Sequence, residues 1–148
     1  MVMQVSSMVD ATRPVSCCSA FYEQDWVRNL AEDIFHPGGE ELTRKTIAAM
    51  NLRPGASIAD LGCGTGTSAL MLAGDPGLNI SAIDISADNI KRAQDRLSTT
   101  NETPGNVRFQ QADAHELPFE DAQFDGVLAE CTFSLFANQA AVLTEIKR

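Results

Sequence analysis

Ile58-Ala59-Asp60-Leu61-Gly62-Cys63-Gly64-Thr65-Gly66 is the stretch on which the fold turns. A short apolar run, entered at Ser57, feeds three glycines at alternate positions. A second apolar stretch, Ala69-Leu70-Met71-Leu72-Ala73, follows. The first run suits a strand buried on both faces of a parallel sheet, and the second reads as the helix that follows it. Glycine permits a sharp turn and lets the backbone approach a ligand with no Cβ in the way. The N-terminus of the helix then offers unpaired N–H groups to an anion. The same three glycines also fit a tight strand-to-helix connection with no ligand at all.

Working outward, residues 79–83 form a second strand that ends at Asp84. Ser86 is a good N-cap for a helix with Ile90, Ala93 and Leu97 on one face. A polar loop holding Pro104-Gly105 leads to a third strand at 107–111. A fourth strand is expected at 124–129 and a last helix at 138–148. Upstream, Trp26, Leu30 and Ile34 recur every four residues and share one face of a helix over 21–35. His36-Pro37-Gly38-Gly39 stops that helix, and a second runs over 40–51, opening on Glu40 and Glu41. Arg53-Pro54-Gly55 is a turn, and residues 1–19 lack periodicity and read as a tail. The alternation of strands and helices predicts an α/β fold, a doubly wound, mostly parallel sheet. Residues 1–19, 20–52 and 53–148 then form a tail, a helical segment and a core.

Composition narrows the partners. The 148 residues carry 11 Lys plus Arg against 20 Asp plus Glu, a formal charge of −9. So acidic a chain lacks the cationic footprint of a nucleic-acid binder and is poorly suited to anionic membranes. With 44% hydrophobic and 21% charged residues it is globular. Its longest apolar run, the five residues from Ala69 to Ala73, is too short to span a bilayer. The first twenty residues hold one Arg and no apolar core, unlike a signal peptide. Cys17, Cys18, Cys63 and Cys131 follow no framework spacing, which points to reduced thiols and a cytoplasmic setting.

Three further features reinforce the glycine turn. Asp84 lies eighteen positions beyond Gly66. In a right-handed βαβ unit this sets its carboxylate beside the turn, where it can accept both hydroxyls of a ribose or cap the next helix. Asp113 and Ala114 end the third strand at the same edge, and Leu117-Pro118-Phe119 follows them. Phe124-Asp125 opens the fourth strand, which leads to Glu130 and Cys131 next to the turn.

In order and spacing these motifs resemble those of class I S-adenosylmethionine-dependent methyltransferases, most nearly the type 11 methyltransferase domain. The resemblance covers about residues 40–148. It implies a Rossmann-like fold, S-adenosylmethionine as cofactor and a small-molecule methyl acceptor. Gly62, Cys63 and Gly64 are then expected to line the methionine part, with Asp60 holding its amino group directly or through water. Asp84 takes the ribose hydroxyls, Ile85 packs on the adenine, and Asp113 and Ala114 read the adenine edge. Backbone at Glu130 closes the site below the sulfonium, and the segment 20–52 is a helical cap that touches the acceptor. No catalytic residue is implied, because alignment of nucleophile, methyl and leaving sulfur supplies most of the catalysis.

The family's sheet continues past the point where this chain stops, so the fold is expected to be incomplete and the fourth strand an open edge on which a second copy can pair. Two other readings compete. A nicotinamide-dependent oxidoreductase shares the sheet, but its fingerprint needs glycine where Thr67 stands. A cofactor-binding module without turnover is the other. His115 is expected to be a solvated loop residue and His36 a helix-end cation. Cys17, Cys18 and Cys131 supply soft thiols suited to a metalloid, in a spacing that matches no ligand pattern. Between Gln110 and Ile146 there are seven acidic residues and no Lys or Arg, which reads as a solvated acidic face.

Overall fold

A computed structural model describes residues 38–74, 77–99 and 106–148. Four strands, β1 (Ala56–Leu61), β2 (Leu78–Asp84), β3 (Asn106–Gln111) and β4 (Gly126–Leu128), form a parallel sheet in the order β3-β2-β1-β4. In register, Leu61 lies opposite Ile83, and Asp84 opposite Gln111. The carboxyl ends of β1, β2 and β3 therefore finish at one edge. Among the described residues four helices accompany the sheet: α1 (Gly39–Ala49), α2 (Thr67–Ala73), α3 (Ala87–Thr99) and α4 (Gln139–Lys147). A short 3-10 turn, Phe133–Leu135, precedes α4.

Side chains alternate across the sheet with a period of two, and each set has its own core. Ile58, Ile80 and Phe109 face Leu72 and Ile90 in one cluster. Ala59, Leu61 and Ile83 join Leu117 and Val142 in the other. Both faces of β1 are covered, which is why its sequence reads as an unbroken apolar run. Ile47 of α1, with Met50 and Leu52 just beyond it, packs against the first cluster, so α1 is docked on the same core as β1. Ile58 is fully buried. Ile58→Val is expected to cost about 1 kcal/mol of stability, read as a lowered denaturation midpoint.

The expected helix over 40–51 ends earlier, at Ala49. Asn51 adopts a left-handed φ of 49°, and that residue turns the chain toward β1. The helix expected at 21–35 and the tail fall outside the described residues. The fourth strand is shorter than the expected 124–129. Phe124 and Ala129 are apolar because they pack in the second cluster, and only Gly126–Leu128 joins the ladder. Asp125 still follows β1, its N–H donating to the Ser57 carbonyl (2.8 Å) and its Oδ2 accepting the Ser57 N–H (3.0 Å). Between β3 and β4 the chain forms no regular element. It is held instead by Arg148, whose guanidinium donates to the carbonyls of Leu117 (2.7 Å) and Phe119 (2.6 Å). Among the described residues no helix is long and apolar enough to cross a membrane.

Candidate functional site

The turn between β1 and α2 is built on three left-handed residues, Gly62 (φ 73°), Gly64 (φ 55°) and Gly66 (φ 83°). The N–H groups of Gly62 and Cys63 both donate to the Ile83 carbonyl, at 2.8 and 2.9 Å, which pins the turn to the end of β2. A Cβ on Gly62 would lie 2.6 Å from Cγ2 of Thr132, and one on Gly66 would lie 2.8 Å from the Phe109 ring. A Cβ on Gly64 meets nothing within 4 Å. Gly62 and Gly66 are thus required by packing, whereas the backbone at Gly64 borders open space. Arg96 of α3 steadies the turn from below, donating to the Thr65 carbonyl (3.2 Å) and the Thr67 hydroxyl (2.9 Å).

Three carboxylates converge on this turn. Asp84 Oδ2 accepts the Gly64 N–H at 2.9 Å, and Oδ1 accepts the Ser86 N–H at 2.8 Å. Asp84 therefore stands beside the glycines and also orders the entry to α3. Asp60 is 3% exposed, and its Oδ2 has no hydrogen-bond partner. Burial first, then the charges of Glu130 and Asp84, push its pKa up from 3.8 to about 7. Glu130 is placed by its side chain as well as by its backbone. Its carboxylate accepts the Thr43 hydroxyl (2.9 and 3.0 Å to its two oxygens) and the Ser68 hydroxyl (2.8 Å). Burial, with Asp60 and Asp84 nearby, drives the Cys63 thiol well above its usual range, so it stays protonated and unreactive.

At the far side of the turn Ile85 is 37% exposed, and its carbonyl accepts the Gln111 amide at 3.0 Å. Ala114 is buried. Asp113 Oδ1 accepts both the N–H (2.9 Å) and the ring Nδ1–H (2.5 Å) of His115. His115 Nε2 accepts the Asn138 N–H at 3.2 Å, which fixes that tautomer. His115 is thus no solvated loop residue: its side chain is 17% exposed and both nitrogens are committed. Cys131 is exposed and held at a left-handed φ of 54°, while Cys17, Cys18 and His36 lie outside the described residues. Sequence reasoning missed Thr43, Ser68 and Thr132, whose hydroxyls carry no periodic or motif signal.

A buried acceptor with no donor, flanked by two more carboxylates, is suited to a cation that brings its own N–H groups. Residues 58–148 match the model of a methyltransferase domain. The chain belongs to that family.

The methyltransferase domain is similar to the O-methyltransferase resE of Aspergillus sclerotiorum, 36% identical over 104 residues, 70% of this chain and 39% of that protein. It is 38% identical over 88 residues to the 27-O-demethylrifamycin SV methyltransferase of Amycolatopsis mediterranei, 60% of this chain and 32% of that protein. The crystal structure of the [4+2]-cyclase SpnF aligns with a TM-score of 0.67 at 29% identity, over 72% of this chain and 39% of that one. The chain thus spans well under half the length of these three proteins. Class I members use S-adenosylmethionine as cofactor. The orphaned Asp60 oxygen and the open space over Gly64 both fit that group, whose methionine end carries an ammonium. The family decides against the nicotinamide alternative.

Proposed function

We propose that the protein carrying this domain transfers the methyl group of S-adenosylmethionine to a hydroxyl oxygen of a small molecule. The observation that carries this reading is the unpartnered, buried Asp60 oxygen beside the glycine turn. The names of two relatives, both oxygen methyltransferases, support the acceptor atom. When bound, the cofactor supplies an electrophilic methyl on a positively charged sulfur. Everything else falls to this chain. Asp60 takes the ammonium of the methionine end, and the backbone of Gly62, Cys63 and Gly64 lies along that part. Asp84 accepts the ribose hydroxyls, Ile85 offers its exposed side chain to the adenine face, and Asp113 with the Ala114 N–H reads the adenine edge. Backbone at Glu130 closes the floor.

In this reading α1, docked on the core, contributes to the cap on the acceptor side. His115 is not the base in this scheme, because neither ring nitrogen is available to take a proton. Catalysis therefore rests on alignment and on exclusion of water. The net charge of −9 argues against nucleic-acid and anionic-membrane partners, and four cysteines in no framework spacing support a cytosolic setting.

Asp84→Ala is expected to weaken cofactor binding by about 1.5–3 kcal/mol, the scale of hydrogen bonds to a charged group. Titration calorimetry checks it, and unchanged affinity refutes the ribose role. The function itself is tested by incubating the protein with isotopically labelled S-adenosylmethionine and a panel of phenols and alcohols. Label on an acceptor oxygen is the expected outcome. A second reading, cofactor binding without transfer, has support in the chain's spanning well under half the length of these relatives. Tight binding with no labelled product across the panel would favour it.

A further inference from the structure

His115 joins two parts of the chain that lie 23 positions apart. Asn138, the N-cap of α4, accepts the Ala141 N–H on its Oδ1 at 3.1 Å. In a full capping box the residue three places into the helix is Glu or Gln, and its side chain returns a bond to the N–H of the N-cap itself. Alanine cannot do so, and His115 Nε2 accepts that N–H in its stead, at 3.2 Å. With Nε2 accepting, the ring proton sits on Nδ1 and points at Asp113 Oδ1, 2.5 Å away. The ring also packs edge-on to Phe136, with centroids 6.0 Å apart and planes at 78°. Its position is thus set from α4. Leu117 is tied to the end of α4 independently, its N–H donating to Glu145 Oε2 (2.7 Å) and its carbonyl accepting from Arg148 (2.7 Å). The path of the segment does not rest on His115 alone; what the ring adds is a side-chain donor on the Asp113 carboxylate.

We infer that His115, anchored on the Asn138 N–H, is a positioning residue that aims the Asp113 carboxylate at the adenine amino group. The inference rests on the cofactor reading above and gives a role to a side chain which that reading leaves aside. Adenine presents an amino donor and a ring-nitrogen acceptor at the edge assigned to Asp113 and the Ala114 N–H. Hypoxanthine reverses both, with a carbonyl oxygen in place of the amino group and a proton on the ring nitrogen. A carboxylate held in one direction rewards the first base and rejects the second, because a mismatched buried group is left unpaired. Freed from the ring, the carboxylate can swing away from the base and the distinction weakens. The rival explanation is structural: His115 ties 113–115 to α4, and its loss would weaken ligands with either base alike.

Calorimetric titration separates the two. The wild type, His115→Phe, His115→Ala and His115→Asn are titrated with S-adenosylhomocysteine and with S-inosylhomocysteine, its hypoxanthine counterpart. Thermal unfolding confirms the fold of each variant. Phe and Ala both remove the donor but differ in volume, so the result does not depend on one of them folding. The wild type should favour S-adenosylhomocysteine by about tenfold or more. His115→Phe and His115→Ala are each expected to lose about three- to tenfold in affinity for it, the scale of one hydrogen bond, and less than about twofold for S-inosylhomocysteine. His115→Asn can carry an amide donor at the δ position, where the ring Nδ1 stands, and should keep the preference within about twofold of the wild type. Equal losses for the two ligands, no loss, or no recovery in His115→Asn overturn the inference while the cofactor reading stands. A wild type that binds both ligands equally overturns it together with the role of Asp113, and a wild type that binds neither overturns the cofactor reading as well.

Discussion

Asp60→Asn is expected to weaken S-adenosylmethionine by about 1.5–3 kcal/mol, or roughly ten- to a hundredfold, and to remove a pH dependence from the stability of the free protein. Both effects come from one cause. The carboxyl is buried among other carboxylates, with an oxygen that meets no donor. Its proton is held up to about pH 7, against 3.8 in the unfolded chain. Between those values the folded state binds more protons than the unfolded state, so stability falls as pH rises through the interval. Below about pH 4 both states are protonated and nothing is lost. Above about pH 7 both are ionised and the loss is complete, an upper bound of about 4 kcal/mol for a shift of roughly three pH units. The direction is opposite to that of a salt-bridged aspartate.

Urea unfolding from pH 4 to 8 checks this. The variant should gain on the wild type steadily from pH 4 to 7 and hold a constant difference beyond. Parallel curves for the two proteins would show that Asp60 does not carry the penalty. Binding follows the same logic. An ammonium seated at Asp60 offsets its burial and stabilises the charged form, so below pH 7 the cofactor must displace a proton and its affinity should drop as the solution is acidified.

The second large effect separates two glycines that look alike in the sequence. Gly66→Ala is expected to cost about 2–5 kcal/mol, from left-handed strain plus the displacement of packed neighbours. The new methyl would meet the Phe109 ring at 2.8 Å and Ala93 Cβ at 3.0 Å. Against a total stability of about 5–15 kcal/mol this is a large share, and soluble yield should fall. Gly64→Ala pays only the strain, about 1–2 kcal/mol, because its methyl enters open space. That space is where the cofactor is proposed to lie, so Gly64→Ala should fold and yet lose about tenfold or more in S-adenosylmethionine affinity. Thermal unfolding with and without cofactor reads both: a lowered midpoint for Gly66→Ala, and a lost cofactor-induced rise for Gly64→Ala. A Gly64→Ala protein with full cofactor response would move the ligand elsewhere.

The fold was legible because its signals are local. The apolar run of β1, the glycine turn and the apolar stretch of α2 are contiguous, and the handedness of βαβ units brings Asp84 to that turn. Ser86 was readable as a cap for the same reason, and its hydroxyl accepts the Asn89 N–H at 3.3 Å. The site's supporting contacts were not readable. Thr43 and Glu130 are 87 positions apart, and Thr132 reaches the Leu61 carbonyl across 71. Neither pairing leaves a trace in periodicity. The length of β4 was misjudged because an apolar residue at 124 serves the second core cluster as well as it would serve a ladder. His115 was misread because a histidine in a polar loop gives no sign that Asp113 and Asn138 will claim both nitrogens.

The central claim is that a buried, proton-bearing Asp60 receives the cationic end of S-adenosylmethionine. Proton release on binding measures it directly, by calorimetry at pH 6 in two buffers of different ionisation enthalpy. The wild type should bind the cofactor and release about one proton per molecule bound, and Asp60→Asn should bind more weakly and release almost none. Binding that releases no proton in the wild type, or the same number in both proteins, would contradict the account.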